Sequence, residues 1–123
     1  MKHYLKHGVS AYEYWNISLA EGGISRWGWA QNSLVVVDEA KRSYRYTPEY
    51  YMLKHVSHYV LPGAKRLETS GAYDDVLAFV NTDNSVITII GNTQSSDKVV
   101  RFQVGGKVYS PVLKANSINT FKI

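Results

Sequence analysis

The 123-residue sequence predicts a mainly β protein with one or two helices, its second half an antiparallel β-sandwich. Three observations carry this expectation. From residue 64 onward, short β-prone runs recur at even spacing (65–69, 76–81, 86–91, 98–104, 107–113 and 117–122), with turn residues such as Asp83-Asn84, Gln94-Ser95-Ser96 and Ala115-Asn116 between them. Gly105-Gly106 between two alternating runs is a two-residue hairpin signal, because such turns need residues that tolerate positive φ. The composition shifts once, near Pro62, so the chain is expected to divide into segments 1–60 and 61–123.

The first segment carries different elements. Residues 1–7 read as the last turns of a helix, stopped by Gly8 where a left-handed residue is commonly required. Residues 11–19 form an apolar run containing Tyr12, Tyr14 and Trp15, with the composition of a strand. The glycines at 22, 23 and 28 then break regular structure, so an aromatic loop over 20–33 follows, carrying Trp27 and Trp29. Residues 34–38 are strongly β-branched and 44–47 alternate, with the polar stretch 39–43 between them, which predicts a hairpin over 34–47. Thr47 can cap a helix, Pro48 suits its first position and Glu49 complements its positive end, so a helix is expected over 48–61. Tyr51, Met52, His55, Val56, Tyr59 and Val60 recur at spacings of three and four, giving that helix one apolar face to pack on a core.

Composition excludes several function classes. The chain has no cysteine, so disulfides and thiolate metal sites are ruled out and the compartment stays undecided. Its net charge is +4, but lysine and arginine are scattered singly and form no basic stripe, so no nucleic-acid partner is expected. No run approaches the roughly 20 apolar residues of a membrane span, and the first ten residues lack the apolar stretch of a signal peptide. His3 with His7, and His55 with His58, are spaced to share helical faces, yet two ligands fall short of the three or four that zinc requires, so no metal is expected. The serines at 18, 25, 33 and 43 lie outside any Gly-x-Ser-x-Gly elbow, and no glycine-rich phosphate loop or other cofactor motif is present. Hydrolysis of a glycoside needs two carboxylates roughly 5 to 9 Å apart. The ten acids offer no such pair: Glu13 lies in the aromatic run, Glu21 in the loop, and Asp38, Glu39, Glu49, Asp83 and Asp97 at turns or caps. No catalytic residue is therefore assigned.

Flat aromatic rings beside amide side chains, where a strand runs into a loop, suit the surfaces of a sugar. Tyr14-Trp15-Asn16, Glu21-Gly22-Gly23, the run from Trp27 through Asn32 to Leu34, Tyr50-Tyr51 ahead of Lys54-His55, and Pro62-Gly63-Ala64 then occur in an informative order. Together with residues 76–81 and Ser117 through Phe121, they resemble the C-terminal end of a glycoside hydrolase family 30 enzyme, the group of glucosylceramidases, β-1,6-glucanases and related xylanases. The resemblance implies a retaining O-glycosidase acting on β-linked glucans, xylans or glucosides. It makes the first segment a remnant of a (β/α)8 barrel, its last strand and last helix, since a whole barrel needs roughly 250 residues.

By the same resemblance, the acid/base and nucleophile glutamates belong to the fourth and seventh barrel strands, upstream of this sequence, and the chain alone would be inactive. Trp15 would flank the sugar next to the cleaved bond, Asn32 or Asn16 would donate or accept hydrogen bonds at its hydroxyls, and Trp27 and Trp29 would line the loop side of the cleft. The implied partners are carbohydrate in the whole enzyme and either the remainder of the barrel or another copy of the chain, because a lone parallel strand lacks neighbours for its ladder. Family members are usually secreted or extracellular. An alternative is a non-catalytic carbohydrate-binding or structural β-sandwich module. Sugar binding by the sandwich calls for exposed aromatics on one sheet face, whereas Phe79, Phe102, Tyr109 and Phe121 alternate as core residues do.

Overall fold

The structure, a computed structural model covering residues 1–123, contains eleven strands and two helices. They fall into two compact units, Met1–Lys54 and His55–Ile123. No helix is long and apolar enough to cross a membrane.

The first unit opens with helix α1, Lys2–Lys6. Gly8 ends it at φ +89°, where its N–H bonds the Leu5 carbonyl and the Val9 N–H bonds that of Tyr4, the two bonds of a Schellman cap. Strand β1, Ser18–Ala20, then pairs in parallel with β2, Val35–Asp38, and β2 pairs antiparallel with β3, Ser43–Tyr46. The β2–β3 hairpin matches the expected turn at 39–43: Arg42 sits at φ +51°, and Asp38 accepts the Lys41 N–H at 3.0 Å. β1 is much shorter than the strand expected over 11–19. Ladder pairing needs a partner edge, and β2 with Leu34 offers its own to residues 16–21: Leu34 and Val35 donate to the Asn16 and Ile17 carbonyls, Val37 accepts the Glu21 N–H, and no partner strand runs beside 11–15.

Helix α2, Pro48–Ser57, starts where its cap residues place it, with the Tyr50 N–H on the Thr47 hydroxyl at 3.4 Å. It ends four residues before the expected 61. Val60 still bonds back to the Val56 carbonyl, but Tyr59 and Leu61 are drawn off by Asn81, whose amide donates to the Tyr59 carbonyl and accepts the Leu61 N–H, each at 3.0 Å. The expected apolar face is half-buried at Met52, His55 and Val56, while Tyr51 is exposed.

The second unit is an antiparallel β-sandwich. One sheet comprises β4 (Lys65–Leu67), β5 (Val76–Val80), β6 (Val86–Asn92) and β11 (Ser117–Lys122), in the order β11-β6-β5-β4 with every pair antiparallel. The other layer is one long hairpin. The single strands expected at 98–104 and 107–113 are each interrupted, giving β7 (Lys98–Val99), β8 (Phe102–Val104), β9 (Lys107–Tyr109) and β10 (Val112–Leu113). β7 pairs with β10 and β8 with β9 in one continuous register, so the break is local. Its cause is Pro111: Val100 donates to the Pro111 carbonyl at 3.1 Å, but proline has no N–H to return the bond. Gly105 and Gly106, at φ +53° and +83°, close the hairpin as a type I′ turn requires.

Side-chain alternation gives the central sheet two buried faces. On one, Ile90, Val100 and Leu113 form a cluster joined by Tyr73, Val76, Phe102 and Phe121, which seats the hairpin on the sheet. On the other lie Leu77, Phe79, Ile87 and Ile89, buried on the side from which Thr120 bonds the His55 ring at 2.8 Å. Burial of these side chains, about 1.5–3 kcal/mol each, is the main source of the unit's stability. Beside the hairpin, the first face is left as an open cleft of about 560 Å³ floored by Ala78, Val86 and Thr88. Asn92, fully buried, ties the turn 93–97 to the core by donating to the carbonyls of Ser96 and Lys114, both at 2.9 Å, and accepting the Gln94 N–H.

Candidate functional site

The residues singled out as sugar contacts all belong to the first unit, around the loop between β1 and β2. The base of this loop is closed by backbone. Gly23 donates to the Ala20 carbonyl and accepts the Gln31 N–H at 2.8 Å, and Ile24 and Ala30 form an isolated antiparallel bridge. Gly23 is at φ +56°, and a Cβ there would run into the Gln31 carbonyl, so glycine is required for this closure. Asn16 braces the returning strand of the loop, its amide donating to the Gln31 side chain at 3.3 Å and to the Asn32 carbonyl at 3.2 Å. Its side-chain donors therefore serve the protein itself.

The tip of the loop presents Trp27 and Trp29 to solvent, 64% and 65% exposed. Their rings lie 5.9 Å apart with planes inclined by 32°, a tilted pair. Ser25 organises the tip: its hydroxyl accepts the N–H groups of Trp27 and Trp29 at 3.3 and 3.2 Å, and its own N–H donates to the Trp29 carbonyl at 2.9 Å. The Arg26 guanidinium lies 5.3 Å from the centre of the Trp27 ring. Trp15, at 83%, is the most exposed of the large apolar side chains.

A shallow pocket of about 310 Å³ lies behind the loop, lined by Glu21, Gly23, Gln31, Asn32, Arg45 and Glu49 among others. Two polar pairs cross it. Glu21 bridges Arg45 at 3.1 Å, and Glu49 accepts the Asn32 amide at 3.3 Å. Partial burial, with the Glu49 carboxylate next in importance, pushes the Tyr14 phenol above its usual range. The structure thus brings Asn32 and Asn16 together through the Asn32 carbonyl, and Trp27 and Trp29 through their rings. None of the three tryptophans, nor Asn16, lines the pocket that Asn32 enters. Sequence reasoning overlooked Ser25, Gln31, Arg45 and Glu49, since each acts through a partner distant in sequence or through backbone geometry. For Ser25 alone a local signal exists, a serine before a Trp-Gly-Trp turn.

These features define a class: an antiparallel β-sandwich joined to a unit that displays aromatic rings on a closed loop. Residues 63–121 match the family model of the glycosyl hydrolase family 30 β-sandwich domain. The chain is similar over 89% of its length to SrfJ from Salmonella typhimurium, with 25% identity and a TM-score of 0.80. It is similar over 88% to the endo-β-1,6-glucanase BT3312, with 24% identity and a TM-score of 0.76. It spans 25% and 26% of those two chains, about a quarter of each. The second half of this chain is therefore the C-terminal β-sandwich domain of glycoside hydrolase family 30.

Proposed function

We propose that the chain is the C-terminal portion of a retaining glycosidase that acts on β-linked glucans, xylans or glucosides. In this reading, the first unit is the end of the catalytic barrel and contributes sugar contacts, the sandwich braces it, and the acid/base and nucleophile glutamates lie in the remainder of the enzyme. The observation that carries it is the exposed, paired Trp27 and Trp29 rings, in a chain whose residues 63–121 match the family 30 sandwich. Exposed indole rings offer apolar faces to the axial hydrogens of pyranose units. Trp15 and Asn32 add a third ring and an amide with hydrogen-bonding capacity beyond its bond to Glu49.

The carboxylates nearest the loop are engaged elsewhere, Glu21 with Arg45 and Glu49 with Asn32. This supports a binding role for the unit over bond cleavage by it. A sandwich that binds sugar by itself is the weaker reading, because Phe102 stacks on Tyr109 and packs on Phe121, and all three rings are half-buried. Titration of the chain with β-1,6-linked glucan oligosaccharides tests the proposal. Tryptophan fluorescence should change saturably, Trp27→Ala should abolish the change, and no reducing sugar should appear. Release of reducing sugar by the chain, or a response unaltered by Trp27→Ala, overturns it.

A further inference from the structure

We propose that Ser25 is the positioning residue of the tryptophan pair, setting the spacing and tilt at which Trp27 and Trp29 meet a sugar chain. The inference rests on the carbohydrate reading of that pair and adds to it the device that holds the rings. Two exposed tryptophans one residue apart would ordinarily sample many relative orientations, since nothing buries either ring. Here the backbone beneath both is pinned to one side chain. The Ser25 hydroxyl accepts the N–H of Trp27 and of Trp29, its N–H holds the Trp29 carbonyl, and its carbonyl accepts the Gly28 N–H at 2.9 Å. Gly28, at φ +81°, lets the chain reverse between the two rings. Ser25 is half-buried, while the rings it organises and its hydrogen bonds to their N–H groups face solvent.

The same geometry separates positioning from stability. If the hydroxyl is removed, both tryptophan N–H groups are close enough to solvent to bond water, so the fold loses little. What is lost is preorganisation: the rings must be ordered by the ligand, and that ordering is subtracted from affinity. The test compares Ser25→Ala, Ser25→Thr and Trp27→Ala in the 123-residue chain, reading the tryptophan exciton couplet by circular dichroism, the thermal midpoint, and affinity for a β-1,6-linked glucan oligosaccharide. Ser25→Ala should lose most of the couplet and bind roughly tenfold more weakly at an unchanged midpoint, and Ser25→Thr should restore both. A couplet that persists in Ser25→Ala overturns the inference. If Trp27→Ala leaves affinity unchanged, the carbohydrate reading fails on its own, and the couplet still decides the role of Ser25.

Discussion

At the scale of single residues, the molecule uses its few half-buried polar groups to join elements that lie far apart in sequence. His55 is the clearest example that titrates near neutrality. Burial pulls its pKa below the ordinary histidine value, and its ring is bonded to Thr120. The folded state therefore binds this proton less readily than the unfolded chain does. Between the lowered folded value and the ordinary value near 6.5, the unfolded chain carries more protons, and stability decreases as pH falls. His55 thus contributes stability that is complete above the unfolded pKa and is lost as pH drops through the folded one. Urea denaturation at a series of pH values from 7.5 to about 5 should show this slope, and His55→Gln should flatten it. An unchanged slope in the variant would assign the effect to other groups.

At the scale of elements, Thr47 connects β3 to α2. Its hydroxyl donates to the Ser33 carbonyl at 2.7 Å and accepts the Tyr50 N–H, and the side chain is buried. Thr47→Val keeps the shape but removes the cap and leaves the Ser33 carbonyl without this donor, a loss of about 1–3 kcal/mol. Thr47→Ser should cost less than half as much. Faster exchange of the first-turn amides of α2 in Thr47→Val alone would be the signature, and equal exchange in both variants would count against the cap. This cap was legible in the sequence because capping is local, as were the Gly8 stop, the turn at 39–43 and the Gly105-Gly106 hairpin. The extents of β1 and α2 were not. Residues 11–17 have strand composition, but β1 ends where the edge of β2 ends, and α2 is shortened by Asn81, more than twenty residues after its last turn. The break opposite Pro111 could have been anticipated from its missing N–H. The grouping of Ser25 with Trp27 and Trp29 could not, because it depends on how the loop folds back on itself.

At the scale of the whole molecule, apolar burial is unevenly distributed. Every fully buried apolar side chain, from Leu77 to Leu113, lies in the second unit, whereas in the first the buried residues are Ser33 and Thr47. Trp15, Ile17, Ile24, Trp27, Trp29 and Tyr44 are all exposed in the first unit. Native-state hydrogen exchange should accordingly find the slowest amides in β5 and β6, with β1 and β2 opening at a clearly lower free energy. Equal protection of the two units would show that the first holds together by means other than its own core.

The Asn92 amide has an implication for anyone altering the protein. Connections at the end of a sheet are commonly where extra residues can be accommodated, but 93–97 is built around a fully buried side chain that holds four backbone partners at once. Lengthening it would strand that amide inside the domain. The tip at Gly105-Gly106 has open space around it, but its φ of +53° and +83° favours glycine, so an epitope grafted there has to replace the whole turn.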